Sequence, residues 1–191
     1  MGDALPRTMM DRDQYLRWEA EQPERHEYLA GEIFAMVGVR REHALVTLAL
    51  GSLLRQRLKG SPCQAFVADM KLRVDAADAY FYPDVMVTCD PRDRSAETAI
   101  AHPCLVIEVL SDSTAAFDRG QKFAAYRRLE SLREYLLVDI EARRLELYRR
   151  EGAHWLLLET RADGSPLLLD SVGVALDPSD AFEDLDPPRL D

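Results

Sequence analysis

The sequence predicts an α/β fold, a mixed β-sheet with helices packed on it. Three observations carry that expectation. Residues 41–59 repeat leucines at helical spacing. The run Cys104–Leu110 is apolar on both faces, as a buried strand with helices over both sides would be. The order helix, several strands, helix, strand and a β-rich tail suits layered packing of helices on a sheet. At 191 residues the chain is expected to form one domain, with a core at about 12–140 and a β-rich extension at about 141–191.

Taken in order, residues 11–23 predict a short helix around Tyr15, Leu16 and Trp18, stopped by Pro23. Residues 26–37 alternate and predict two strands turning at Ala30-Gly31. In the 41–59 helix, Leu45, Leu48, Leu50, Leu53, Leu54 and Leu58 fall on most faces, which predicts a well-buried helix. Arg55, Arg57 and Lys59 complement its C-terminal dipole, and Gly60 can end it. Strands follow at Ala65–Val74 and Pro83–Cys89, joined through Asp75–Tyr82. A polar loop, Asp90–His102, leads to the strand at 104–110. Ser111–Thr114 supplies N-cap chemistry for a helix from Ala115 to Leu129. Tyr135–Ile140 is an apolar strand, and Leu145–Arg150, His154–Thr160 and Leu167–Leu169 suggest a β-meander. Pro178–Leu185 predicts a final helical turn.

Composition bounds the function. Hydrophobic content of 47% with 30% charged residues is that of a soluble globular chain. No apolar stretch reaches the length of about 18 residues that a membrane span needs. Met1–Trp18 is mixed and charged, without an apolar signal-peptide core, and Met1-Gly2 is not followed by the serine or threonine of a myristoylation motif. Cys63, Cys89 and Cys104 are scattered and odd in number, with no Cys-x-x-Cys pair, which argues against a zinc site and a disulfide scaffold. A reduced cytoplasm is the expected location. The net charge of −10 argues against a generic nucleic-acid binder. From Asp163 onward, however, eight acids face one base, so most of that charge is C-terminal and a local basic surface remains available.

The chemistry-bearing positions stand out against apolar surroundings. In the 104–110 strand, Leu105, Ile107 and Val109 share one face and Val106, Glu108 and Leu110 the other, so Glu108 is a carboxylate inside a buried run. A buried carboxylate must be paired, neutralised or bound to a cation. Asp84 begins the strand after Tyr82-Pro83. If the two strands are neighbours, both acids converge at one sheet edge, where a hard cation takes one or two carboxylates with water and phosphate. Lys122 shares a helical face with Ala125, Tyr126 and Leu129, one turn after Asp118. The bland alternatives are a strand-end salt bridge for Glu108, turn chemistry for Asp84 and a snorkelling stem for Lys122. Glu32, after Gly31, and His43, opening the long helix, are candidates for support.

These segments resemble the Uma-type restriction endonuclease family, a bacterial branch of the PD-(D/E)XK nuclease superfamily. The matching stretches are His26-Glu27-Tyr28-Leu29-Ala30-Gly31-Glu32-Ile33, then His43, then Tyr82-Pro83-Asp84-Val85. Val106-Ile107-Glu108-Val109-Leu110-Ser111-Asp112-Ser113-Thr114 follows, then Asp118, Lys122 and Tyr126, and Glu134-Tyr135-Leu136-Leu137-Val138-Asp139 closes the series. The resemblance implies a restriction-endonuclease-like three-layer core with a central mixed sheet flanked by helices. It implies Mg²⁺ or Mn²⁺ held by Asp84, Glu108 and the Val109 carbonyl, and catalysis by Asp84, Glu108 and Lys122. The superfamily's lysine two residues after the second acid is replaced by Leu110, and Lys122 stands in for it.

The expected function is metal-dependent hydrolysis of phosphodiester bonds in nucleic acid, DNA before RNA, with Glu32, His43 and Asp118 in support. A homodimer is an open expectation, and no membrane partner is expected. The alternative is a degenerate nuclease fold used for binding. A two-carboxylate glycosidase leaves Lys122 unexplained.

Overall fold

The computed structural model describes residues 9–185 apart from Val37 and Val39. Residues 1–8, part of the mixed and charged N-terminal stretch, and residues 186–191 of the acidic tail lie outside the described set.

Helix α1 (Arg12–Glu19) starts at a capping box in which Asp11 and Gln14 each accept the other's backbone N–H, at 2.8 and 2.9 Å. Strands β1 (His26–Leu29) and β2 (Glu32–Ala35) form the predicted hairpin. Its turn has positive φ at both Ala30 (48°) and Gly31 (94°), the handedness that matches strand twist in two-residue loops. Helix α2 (Arg41–Arg57) agrees with the expectation in extent but not in burial. The buried positions are the stripe Val46-Leu50-Leu54-Leu58 and the adjoining Gly51, while Leu48 is 62% exposed. The many leucines widen the apolar surface without turning every face inward.

The predicted strand at 65–74 is two strands. Positive φ at Ala68 (25°) and Asp69 (56°) breaks the run, separating β3 (Gln64–Val67) from β4 (Lys71–Val74). The connector expected at 75–82 contains a further strand, β5 (Ala79–Phe81), and β6 is Val85–Thr88. The polar loop holds a short strand, β7 (Ala99–Ile100). One sheet runs β2-β1-β5-β4-β7.

Strand β8 (Leu105–Leu110) is the centre of the other sheet, antiparallel to β6 and parallel to β9 (Glu134–Asp139). The helical run after β8 is shorter than predicted and is not uniformly α. It consists of α3 (Ala115–Phe117), a π-helical turn over Asp118–Lys122, and α4 (Phe123–Tyr126). Thr114 makes no side-chain cap there; its residue is already in the helical region, and the Ser111 carbonyl accepts the Ala115 N–H at 2.9 Å. Strands β10 (Arg144–Glu151) and β11 (His154–Arg161) complete a six-stranded mixed sheet, β11-β10-β9-β8-β6-β3. The third strand of the expected meander, β12 (Leu167–Leu169), instead pairs with β13 (Val174–Leu176) as a separate ribbon, before α5 (Pro178–Phe182).

Both faces of β8 are covered, as its apolar pattern requires. Leu105, Ile107 and Val109 pack with Val46, Leu50 and Leu54 of α2. Val106 and Leu110 pack with Phe117, Ala125 and Tyr126 of the helical run and with Leu72 and Phe81 of the five-stranded sheet. No helix among the described residues is long and apolar enough to cross a membrane.

The cysteines depart from expectation. The β3–β6 register, Gln64 opposite Thr88, carries Cys63 opposite Cys89, and the two form a disulfide, with the Cys104 Sγ 3.6 Å from that of Cys89. Wide sequence spacing concealed a cross-strand neighbourhood.

Truncating Leu50 to Ala should cost about 2–5 kcal/mol in denaturant unfolding, because the site is fully enclosed. Leu48→Ala should stay within about 0.5 kcal/mol. Equal losses at the two positions would refute the single buried stripe.

Candidate active site

The two strand-borne acids do come together. Pairing of Val85 with Ile107 places Asp84, the residue before β6, beside the end of β8. The Val109 N–H donates to Asp84 Oδ2 at 2.7 Å, so Asp84 is tied to the residue next to Glu108. Asp84, Glu108 and Lys122 line one cavity of about 240 Å³ between the carboxyl end of β8, the start of α2, the β1–β2 hairpin and the π-helical turn.

Glu108 is 3% exposed and its Oε1 accepts from Lys122 Nζ at 3.2 Å and from the Tyr126 hydroxyl at 2.8 Å. Lys122 does not snorkel. It is 6% exposed, and its ammonium lies 2.9 Å from Glu27, 3.2 Å from Glu108 and 3.4 Å from Asp118. The π turn carries both Asp118 and Lys122, directing them inward from successive parts of one widened coil.

Glu27 is the residue that sequence reasoning passed over. It is 6% exposed in β1, lines the cavity, and its Oε1 also accepts the Tyr82 N–H at 3.1 Å. Its signal was period-two alternation, since His26 and Tyr28 must then face the other side. Glu32, by contrast, is exposed at the start of edge strand β2 and does not line the cavity. Of the two, it is Glu27 that lines the cavity. His43 does belong: its Nε2 lies 3.3 Å from Asp84 Oδ2, and it lines the cavity from the first turn of α2.

The carboxylates of Glu27, Asp84, Glu108 and Asp118 thus share the cavity with Lys122 and His43, and the exposed Arg40, Glu42, Asp112 and Glu141 also line it. Burial pushes Glu108 well above the ordinary carboxylate range, and the charges of Asp118, Asp84 and Glu27 push the same way against the pull of Lys122. Burial also raises Glu27, again opposed by Lys122. For Lys122, burial lowers the pKa, but Glu108, Glu27 and Asp118 together lift it well above the usual value, so it stays protonated. His43 behaves alike: burial lowers it, yet Asp84 and the Val109 carbonyl leave it raised. The Asp118 Oδ1 is buried, and its contact among the described residues is the 3.4 Å ion pair with Lys122, with no hydrogen bond beside it.

The donor set fits a hard divalent cation. Oxygen acceptors outnumber donors, negative charge exceeds positive, and Asp84 Oδ2 already draws the His43 ring to 3.3 Å. Among the described residues no three His, Cys, Asp or Glu side chains form a preformed metal cage.

Comparisons with known proteins agree with this architecture. A crystal structure from Anabaena variabilis ATCC 29413, described as "a putative nuclease belonging to DUF820", superposes with a TM-score of 0.75 at 18% identity, covering 93% of this chain and 99% of that one. The fold is thus the mixed-sheet, helix-flanked fold of that nuclease-class neighbour. Two Synechocystis sequences are similar. "Uncharacterized protein slr1290" is 40% identical over 173 residues, 90% of each chain. "Uncharacterized protein sll1609" is 37% identical over 157 residues, 81% of this chain and 89% of that one. Residues 12–179 match the family Uma2, described as "Putative restriction endonuclease". With that span and those relatives, the chain belongs to the Uma2 restriction-endonuclease family.

Proposed function

We propose that this protein is a metal-dependent endonuclease hydrolysing phosphodiester bonds in nucleic acid, DNA by preference. The observation that carries the reading is the shared cavity in which Asp84 and Glu108 stand with the Val109 backbone beside a buried, protonated Lys122. The residues that would hold Mg²⁺ or Mn²⁺ are Asp84, Glu108 and the Val109 carbonyl. A cation there supplies Lewis-acid polarisation of a phosphate and a more acidic bound water.

The chain's own residues prepare that site. The Val109 N–H fixes the Asp84 rotamer, and Tyr126 and Lys122 fix Glu108. Lys122 keeps Glu108 ionisable inside a buried environment that otherwise favours its protonated form. Because its ammonium sits amid three carboxylates, it serves first as a positioning residue and a fixed positive charge, not as a proton acceptor. His43 orients Asp84 from the opposite side. Apolar Phe34 and Phe117 wall the cavity, limiting water and strengthening these electrostatic contacts.

Purified Asp84→Ala and Glu108→Ala chains should remain folded and lose Mg²⁺- or Mn²⁺-dependent cleavage of plasmid DNA. Cleavage retained by either variant would sink the assignment. Lys122→Met strands three buried acids and should lower stability by about 3–5 kcal/mol in thermal unfolding. Adding Glu108→Gln should recover at least about 1 kcal/mol of that loss, through a coupling that independent sites would not show.

A further inference from the structure

Among the described residues, strand β11 is an open edge with few of the usual safeguards. It ends the six-stranded sheet, and its eight residues pair with β10 in an unbroken register from Glu151↔His154 to Arg144↔Arg161. It contains no proline and no bulge, whereas the other sheet edges, β3, β2 and β7, are only two to four residues long. Leu156 and Leu157 are each 42% exposed, one on either face of this edge.

The backbone parity is readable. Glu151 and His154 close a two-residue hairpin, so they bond each other and the ladder alternates from there. The Ala162 N–H donating to the Arg143 carbonyl at 3.0 Å fits the same parity. Even-numbered residues of β11 therefore face β10. Trp155, Leu157 and Glu159 turn both backbone groups outward, and Arg161 its N–H, its carbonyl being taken by Gly164.

We propose that β11 is a homodimerisation edge, two copies of this chain pairing antiparallel through β11 about a two-fold axis at Leu157. Such an edge is isologous, meeting itself. In that register Leu157 faces its own copy, Leu156 faces Leu158 in both directions, and Trp155 faces Glu159. All outward backbone groups at 155, 157 and 159 are then paired. The leucines form an apolar centre, with His154, Thr160 and Arg161 at a polar rim. A shift of one residue breaks the hydrogen-bond parity. A shift of two sets leucines against Glu159 and Thr160, or against Trp155 and His154. The near-palindromic order of the strand thus selects a second copy of this chain as the occupant.

One consequence is directional. Strands β8 and β11 run the same way, since β8 is parallel to β9 and each later neighbour is antiparallel. The two-fold reverses them in the second copy. The cavities at the carboxyl ends of the two β8 strands then open at opposite edges of the doubled sheet, so the pair does not close on one duplex.

Light scattering on the eluting full chain tests this. At about 100 µM, where contacts of micromolar Kd are mostly formed, the mass should be twice 21.7 kDa. Leu157→Lys should return it to one chain with an unchanged circular dichroism spectrum, and mixing it with Leu157→Glu should restore the dimer. Hydrogen exchange at the Leu157 amide of the unaltered chain should slow as concentration rises, a readout that needs no variant. A monomer at that concentration, a dimer indifferent to Leu157→Lys, open-ended growth past two copies, or exchange independent of concentration would each overturn the proposal.

Discussion

The structure turns on the Lys122 ammonium among Glu27, Glu108 and Asp118. These three acids come from the five-stranded sheet, the six-stranded sheet and the helical run between them. One buried charge therefore joins three layers at a point where apolar packing alone would bring no specific registry. Removing it would leave acids that the surrounding Phe81 and Phe117 cannot solvate, with only the Tyr126 hydroxyl still donating to Glu108. The same charge opposes the protonation of Glu108 that burial favours in the middle of a core strand. Stability and chemistry meet in one contact, and neither sheet by itself completes the site.

Much of this was legible because charge is conspicuous in an apolar run. Glu108 stood out inside Leu105–Leu110, and Lys122 on the face of Ala125 and Tyr126, so burial of both followed from pattern. Asp84 followed from strand adjacency, which β6–β8 pairing provides. Glu27 was hidden because its neighbours His26 and Tyr28 are themselves polar or amphipathic, so no apolar run framed it. Glu32 drew notice through its position after Gly31, but the turn places it on an edge strand facing solvent.

Backbone features were less visible still. The break at Ala68–Asp69 rests on positive φ at residues that carry no glycine signal. Period-based reading saw a helix near 115–129 but could not separate a π turn from an α turn. The one extra residue that a π turn introduces is small against the scatter of a short apolar pattern. The disulfide between Cys63 and Cys89 depended on β-register, which spacing along the chain does not encode. What sequence conveys well is which residue types must avoid water; what it conveys poorly is which of them end up opposite each other.

The proposed function requires the surplus of carboxylate charge around Lys122 to be balanced by a divalent cation. Titration calorimetry with Mn²⁺ measures that directly. One Mn²⁺ should bind per chain in the unaltered protein and raise its unfolding temperature, and the binding should vanish in Asp84→Asn. An unaltered, folded chain that takes up no Mn²⁺ or Mg²⁺ at millimolar concentration would contradict the account.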